Sequence, residues 1–526
     1  MGNWECKGGA SLLNGLLESR NLRRNTMLPL MLLGALLLST NHWFSIQEDE
    51  VLIVRGALDP LKDILGKYMF GTGMHTHPPL SEIFMHEWLA WTGGSLAWLR
   101  LMNIGFYLAG IWVLARAANL LGGPNAGPTL AWAAVLWPFG FHSGWLFGWF
   151  TFAFFVVAVL TYAYLQFLER LNFRSWLWMV LAAVALLWTN YYGWVFIACL
   201  ALDFLLRHGR LTREFAFRYF GTLVLLVILF SPLIPALLAA IAKRSADNTR
   251  SLPVLIAYAI WNVYAMIASE SIAPWHFAFS IPVGLAIACS LILTLRFAPE
   301  KARRLLIGFV VLVAGLTING QIGTKRDLLI VPWLFLPVTV TLATLNGRRK
   351  QLMLGTVALA FGLGWFGIFA RSYYGTLRLF EPWQEVSQSV AEELQHGAGV
   401  VAYHPIFFFH LTYDLGLTKH GTEERLDGVL PTAVKDSRVF NAVQFIESGF
   451  PARPEMIYVK AAGFIERQET AKPAEEWLET HCRLLDTHGY LPDPYSELKL
   501  RFGEDKGHLP YRIEVRKYDC GESKGP

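Results

Sequence analysis

Three consecutive carboxylates directly follow the first long apolar run of the chain. That run covers residues 27–46, and Gln47-Glu48-Asp49-Glu50 comes next. Carboxylates crowded at the end of an apolar helix can serve as a general base or as metal ligands at a membrane surface. A solvated helix end would carry the same residue types, so spacing alone leaves both interpretations open.

The segment after this cluster carries further polar groups at defined spacing. Residues 57–69 are amphipathic and predict a helix that lies along the membrane surface. His75 and His77 precede two prolines that fix an extended approach to the next helix. That helix places Glu82 and His86 four residues apart on one face. Such residues can bind a metal, but nothing fixes further ligands, and hydrogen-bonding surface residues would look the same.

The composition predicts a membrane protein with a soluble tail. Of the 526 residues, 54% are hydrophobic and 16% are charged, whereas a soluble domain is usually about 25% charged. This excludes a globular cytosolic enzyme, a disordered chain and a fibrous one. Residues 1–370 hold 27 basic and 16 acidic residues, and residues 371–526 hold 18 and 24. We predict a cytoplasmic segment over 1–26, a membrane domain over 27–370 and an extracytoplasmic, periplasmic α/β domain over 371–526.

The expected fold is a multi-spanning α-helical membrane protein. A spanning helix needs about 20 apolar residues. Apolar runs predict eleven spans, at 27–46, 98–120, 129–143, 146–168, 175–190, 191–206, 218–241, 275–296, 304–320, 328–345 and 351–370. The segment 253–270 either spans as well or lies in the interface. Counting it as a span would move two basic loops to the other side of the membrane, so we assign it to the outside.

The same rule on basic residues gives the orientation. Arg20, Arg23 and Arg24 predict that the N-terminus is cytoplasmic. The membrane that the protein spans is then expected to be the inner, or plasma, membrane. The loop 47–97 and the tail then lie outside. Cys482 and Cys520 are both in the tail and can pair if it faces an oxidising compartment; otherwise they stay free thiols.

The tail alternates helix and strand patterns. Residues 383–395 and 475–485 predict helices, and residues 400–404, 456–460 and 511–517 predict strands.

Several motifs in this order resemble the GT-C membrane glycosyltransferases. The resemblance is to the bacterial relatives of protein O-mannosyltransferases, the dolichyl-phosphate-mannose-protein mannosyltransferase-like family, and of lipid A aminoarabinose transferases. It covers about residues 25–410 and is carried by Asp49-Glu50, His77-Pro78-Pro79-Leu80, Leu187 to Gly193, Ser231 to Pro235, Lys325 to Pro332 and Glu381 to Val386. The sequence departs from the family at Asp327, where a Tyr is usual. The segment GWLFGWF also lacks the Arg and Tyr often found at the third-to-fourth helix junction.

The resemblance implies an enzyme that moves a sugar from a polyprenyl-phosphate carrier to an acceptor hydroxyl on a lipid, glycan or protein. It assigns the general base to Asp49, with Glu50 orienting the acceptor, supporting Asp49 or helping to hold a divalent metal. One base with direct attack predicts inversion at the anomeric carbon, by analogy with hydrolases. We expect membrane lipids as binding partners. We expect neither nucleic acid nor a further cofactor to bind.

The departing phosphate needs cations at the outer membrane surface. The topology allows six candidates for this role, each of which can instead reach a lipid headgroup: His77, Arg100, Lys243, Arg244, Lys325 and Arg326.

A transporter or flippase of lipid-linked glycans is the main alternative. It would be expected to carry ionisable groups inside its spans and internal repeats. A scaffold that only presents the tail would leave the carboxylate cluster without a purpose.

Overall fold

A computed structural model describes two compact units of the chain. The described residues are 10–40, 50, 53, 57, 59–70, 77–92, 96–146, 148–208, 213–244, 251–272, 277–318, 324–369, 383–403, 411, 415, 436–451, 453–462, 468–490 and 512–521. The first unit takes in Met1–Asn41, Lys62–Phe84 and Leu99–Ile368. The second takes in His42–Leu61, Met85–Trp98 and Phe369–Pro526.

Helices account for the regular structure described up to Phe369. In chain order they are α1 (Ala10–Thr40), α2 (Leu61–Phe70), α3 (Leu80–Thr92), α4 (Leu96–Gly122), α5 (Ala126–Leu136), α6 (Pro138–Gly144), α7 (Trp149–Arg170), α8 (Phe173–Leu187), α9 (Gly193–His208), α10 (Arg213–Phe230), α11 (Ile234–Arg244), α12 (Leu252–Ala268), α13 (Phe277–Phe297), α14 (Glu300–Ile318), α15 (Thr324–Asp327), α16 (Pro332–Thr344) and α17 (Gly347–Phe369). A 3₁₀ turn, Ser231–Leu233, joins α10 to α11.

Five of these helical stretches are long and apolar enough to cross a membrane. They are Ala97–Gly122, Trp149–Arg170, Tyr219–Ile241, Phe277–Phe297 and Gly347–Phe369. Five more apolar helices are shorter: Asn25–Thr40, Ala126–Leu136, Phe173–Leu187, Leu252–Ala268 and Pro332–Thr344. The expectation of a membrane protein with many apolar helices therefore holds, but the count of eleven spans is not confirmed.

Prolines explain where the predicted spans differ from the helices. The predicted span 129–143 is divided between α5 and α6, because Pro138 cannot continue the hydrogen-bond ladder of α5. Trp137 accordingly adopts extended backbone angles, φ −81° and ψ 110°, as residues before proline prefer. The predicted span 218–241 is also not one continuous α-helix. A 3₁₀ turn that contains Pro232 separates α10 from α11, because proline cannot continue the hydrogen-bond ladder.

Polar contacts join several helix ends at one face of the first unit. Asp203 on α9 accepts hydrogen bonds from the Tyr164 hydroxyl of α7 (2.6 Å), from Arg207 Nε (2.7 Å) and from Arg304 Nη1 of α14 (3.2 Å). Arg349 Cζ, at the start of α17, lies 4.5 Å from the ring centroid of Phe297, at the end of α13. These contacts lie near four basic segments that the rule on basic residues predicts to be cytoplasmic: 169–174, 207–217, 297–303 and 346–350.

Asp203 is expected to be the main stabilising residue of this face. Asp203→Ala leaves three partly buried donors without their acceptor, so we expect a loss of about 2 kcal/mol in the free energy of unfolding. The matched control is Glu169→Gln. Its 3.6 Å pair with Lys301 has both side chains more than a third exposed and should contribute about 0.5 kcal/mol or less. Thermal unfolding of the two purified variants in one detergent measures the difference; equal melting temperatures would contradict it.

The second unit contains a five-stranded mixed sheet. Its strands are β1 (Gly399–Ala402), β2 (Val439–Asn441), β3 (Glu455–Ala462), β4 (Arg483–Tyr490) and β5 (Arg512–Asp519), in the spatial order β2-β1-β3-β5-β4. β1 pairs in parallel with β2 and β3, and β5 pairs antiparallel with β3 and β4. The helices are α18 (Trp383–Gln395), α19 (Ala442–Glu447) and α20 (Gln468–His481).

The predicted small α/β fold of the tail is confirmed. On α18, Trp383, Val386, Val390 and Leu394 recur at helical spacing, and all are buried in one core with the sheet. The predicted helix 475–485 is wrong at its end: α20 stops at His481, and β4 begins at Arg483, because this segment pairs with β5.

A disulfide joins Cys482 to Cys520, 38 residues apart in sequence. It links the residue before β4 to the residue after β5, so it closes the antiparallel pair at one end. Of the two alternatives that the sequence left open, the structure has the pair.

Reduction should destabilise this domain. Opening a loop of this length is expected to lower its free energy of unfolding by about 4 kcal/mol, and Cys482→Ala/Cys520→Ala should match the reduced protein. The control, Cys199→Ala, removes a free thiol of the first unit and should leave the response to reductant intact. Alkylation before and after reduction, read by mass, gives the thiol count. If the free energy of unfolding of the wild type were the same with and without reductant, the disulfide would be contradicted.

Candidate functional site

The structure describes some of the predicted site residues and not others. Asp49 lies outside the described residues, while Glu50 is described and its side chain is buried in the second unit. Lys243 and Arg244 lie at the end of α11, and Lys325 lies in α15, but their side chains fall outside the described part. Arg326, also in α15, is exposed.

Arg100 is fully buried near the beginning of α4. Its Cζ atom lies 4.7 Å from the centroid of the Trp145 ring, and Trp145 is buried as well. Cation–π contacts of this kind stabilise by about 2 kcal/mol or more when they are removed from water. Because both side chains are buried, this contact restricts where the guanidinium can lie. A fixed guanidinium is the group that matches a phosphate best.

The face of α4 that carries Arg100 also positions the segment around Trp145. Asn103 Oδ1 accepts hydrogen bonds from the Gly148 amide (3.2 Å) and from the Thr151 hydroxyl (2.7 Å). One helical turn further, Tyr107 packs against Gly144 so closely that a Cβ on this glycine would lie 2.8 Å from the Tyr107 ring. Only a glycine fits there, so α6 and α7 are held firmly against α4.

His77 joins the first loop to the same region. Its ring lies 4.1 Å from that of Trp149, centroid to centroid, and Asn190 Nδ2 lies 3.5 Å from His77 Nδ1. The Leu80 amide donates to the Trp188 carbonyl oxygen at 2.9 Å. The His-Pro-Pro-Leu motif and the hinge between α8 and α9 are thus in direct contact. Both had been singled out as separate motifs in the sequence.

The turn after α12 is buried and contacts α6 and α17. Ser269, Glu270 and Ser271 are all buried. The Ser269 hydroxyl and His142 Nδ1 share a hydrogen bond of 3.0 Å, and the Ser271 hydroxyl donates to the Gly364 carbonyl oxygen at 2.7 Å. Ser269 has φ 67° and ψ 170°, a backbone region that residues other than glycine rarely adopt.

Sequence reasoning missed His142 and Glu270 as functional candidates. The signal was present, since each is an isolated ionisable residue within a long apolar stretch, and such residues in membrane proteins mark functional sites. Asp327 is a third buried ionisable residue, noted in the sequence only as a departure from the family. Its helix α15 packs against α12.

The Glu/His pair of α3 is not assembled into a metal site by the described residues. Glu82 accepts a hydrogen bond from the Tyr68 hydroxyl at 2.8 Å, and His86 Nδ1 donates to the Ala57 carbonyl oxygen at 2.9 Å. Burial, followed by the Glu82 charge, raises the pKa of Tyr68 well above its usual 10, so the hydroxyl remains a donor at neutral pH. Within the described part of the chain, no three His, Cys, Asp or Glu side chains are grouped around a possible ion.

Comparison with known proteins finds similarity to solved structures. No family model matches the sequence, and no curated protein matches it either. The crystal structure of ArnT from Cupriavidus metallidurans bound to undecaprenyl phosphate is similar at 12% sequence identity and a TM-score of 0.48. The similarity covers 93% of this chain and 97% of that one.

Proposed function

We propose that this protein is a membrane glycosyltransferase that moves a sugar from a polyprenyl-phosphate carrier to an acceptor hydroxyl on the outer face of the membrane. The observation that carries the proposal is the buried Arg100–Trp145 pair. A guanidinium that contacts an aromatic ring at a helix junction of an apolar unit is suited to the phosphate of a lipid carrier.

The position of the pair within the fold supports this role. Arg100, Trp145 and His77 all lie near helix junctions that the sequence assigns to the outer side. The contacts around Asp203 gather junctions that it assigns to the cytoplasmic side. A lipid carrier keeps its phosphate at the headgroup level and its chain among the apolar helices, so the cation belongs at such a junction.

The reaction assigns one task to each group. Asp49 takes the proton of the acceptor hydroxyl as its oxygen attacks the anomeric carbon, and Glu50 supports Asp49. The bond between that carbon and the phosphate oxygen breaks, and the polyprenyl phosphate leaves with the electron pair. Arg100 stabilises the negative charge that develops on the leaving group, together with His77 and the cations of α11 and α15. Direct attack inverts the configuration at the anomeric carbon.

Donor turnover tests the proposal. Purified full-length protein is incubated with a panel of undecaprenyl-phosphate sugars and a crude cell-envelope extract as acceptor, and free undecaprenyl phosphate is followed by mass spectrometry. Release of the carrier that depends on both protein and acceptor is expected for at least one donor. Absence of release, together with movement of a lipid-linked glycan across liposome membranes that contain the protein, would favour a transporter instead.

A further inference from the structure

A groove of about 580 Å³ opens between α1 and α5, two helices of the first unit that pack against each other. Its volume lies in the range of about 300–1,000 Å³ that is typical of sites for small molecules. The residues that line it are Asn25, Met27, Leu28 and Met31 of α1 and Pro128 and Trp132 of α5.

The lining of this groove is mostly apolar and open to its surroundings. Leu28 and Met31 are more than half exposed, at 54% and 67%, and Trp132 is 43% exposed. Asn25, also exposed, adds a polar side chain at the end of the groove where the apolar part of α1 begins. An occupant with a hydrocarbon chain and a polar headgroup matches this distribution.

Basic positions precede the groove on the same helix. α1 continues without a break through Arg20, Arg23 and Arg24, within the two turns before Asn25. Residues four, seven or eight positions apart share one face of a helix. The positions of Arg20 and Arg24 therefore fall on the face of α1 that carries Leu28 in the groove.

The local charge favours an anionic occupant. Positions 19–47 and 117–168, which include both walls of the groove, contain neither Asp nor Glu. An anion at the start of the groove would therefore meet basic positions without a competing carboxylate from either segment. Basic residues at the cytoplasmic end of membrane helices attract phospholipids with negatively charged headgroups. The orientation predicted from the sequence places this end of α1 on the cytoplasmic side.

We propose that the groove between α1 and α5 binds an anionic phospholipid of the bilayer, with an acyl chain against the apolar lining and its phosphate beside the basic positions of α1. From Asn25 to Met31 the helix rises about 9 Å, which is only the first part of an acyl chain. Recognition therefore depends on the charge of the headgroup more than on the length of the chain. The site is separate from the proposed carrier site and does not depend on glycosyltransferase activity.

Lipid retention tests the charge requirement. Full-length protein is placed in nanodiscs with equal amounts of phosphatidylglycerol and phosphatidylcholine that carry the same acyl chains. Native mass spectrometry then counts the lipids that stay bound when the protein is released. The wild type is expected to retain phosphatidylglycerol in preference, and Arg20→Gln/Arg23→Gln/Arg24→Gln should lower this preference by about tenfold or more. An unchanged preference would overturn the inference.

A second triple variant is the matched control. Arg170→Gln/Arg174→Gln/Arg348→Gln removes the same number of charges from exposed residues on the same predicted side of the membrane. None of the three residues lines the groove, so this variant should keep the wild-type preference for phosphatidylglycerol. An equal loss in both triple variants would show that general surface charge attracts the lipid, and the groove would not be the site.

Met31→Trp tests the groove itself while leaving the arginines in place. The larger side chain fills part of the groove, so retention of phosphatidylglycerol should fall. Leu32→Trp is the control, because Leu32 is the next residue and is also exposed, but it does not line the groove. Neither change alters a buried residue, so both variants should fold. Equal retention by Met31→Trp and Leu32→Trp would exclude the groove.

Undecaprenyl phosphate is the competing occupant, since it also joins a phosphate to a long apolar chain. The same experiment is repeated with undecaprenyl phosphate in place of phosphatidylglycerol. If the variants of Arg20, Arg23, Arg24 and Met31 lost only undecaprenyl phosphate, the groove would belong to the carrier and the inference would be wrong. Donor turnover tests the transferase separately: a protein without turnover that still retains phosphatidylglycerol in this way would contradict the transferase and support the groove.

Discussion

Arg100→Ala is expected to lower the turnover of the lipid-linked donor by about 10²- to 10³-fold, the loss typical of removing one preorganised group that stabilises developing charge. The effect should appear mainly in kcat, because the negative charge on the phosphate grows as the bond to the sugar breaks. Arg100→Lys keeps a positive charge but loses the planar fork that contacts Trp145, so it should recover only part of the activity.

Arg116 provides a matched control on the same helix. Its Cζ atom also lies near two aromatic rings, 5.3 Å from the ring centroid of Trp112 and 5.9 Å from the ring centroid of Tyr162. The Arg116 side chain, however, is exposed. Arg116→Ala should keep wild-type turnover, since an exposed cation–π pair contributes about 0.5–1 kcal/mol to stability and has no phosphate to bind. Equal activities for Arg100→Ala and wild type, at equal yield and melting temperature, would remove Arg100 from the site.

Asp49→Asn is expected to lower turnover by about 10²- to 10⁴-fold, the usual contribution of a general base. The amide keeps the size of the side chain but cannot accept the proton of the attacking hydroxyl. Glu50→Gln should cost less, because Glu50 acts through Asp49. The pH dependence adds a second readout: the acidic limb of the wild-type rate profile should flatten in Asp49→Asn.

Asp63→Asn is the control for Asp49→Asn. Asp63 lies on α2, in the same predicted outer loop, and is exposed. Its replacement should leave donor turnover unchanged when both variants are compared at equal expression. Full turnover by Asp49→Asn would exclude Asp49 as the general base. Glu50, whose side chain is buried, would then be the next candidate for that role.

The parts of the fold that were predicted are those that a local pattern determines. α18 was predicted as 383–395 and begins and ends at those residues, because its apolar positions recur at helical spacing. Hydropathy, in contrast, averages over a window and does not register a break in the backbone. It therefore predicts one helix over 129–143, although Pro138 divides this run.

The site was predictable only as far as single residues carry a signal. Arg100 was found because a cation stood at a predicted outer helix end. Its partner Trp145 could not be found, since the pairing depends on how α4 packs against a segment 45 positions further along the chain. The burial of Glu270 could not be predicted, because it depends on how the turn after α12 packs in the folded chain.

The strand order of the tail has a consequence for how the protein is made. β5 is synthesised after the other four strands, yet it lies between β3 and β4 and is the only strand that joins them in the described sheet. β4 thus has no neighbour in the sheet until the ribosome has completed residues 512–519. The domain therefore closes only after translation of this last strand, and Cys482 waits as a thiol until Cys520 arrives. A nascent chain stalled before β5 would expose the edges of both β3 and β4 to proteases and to other unfolded chains.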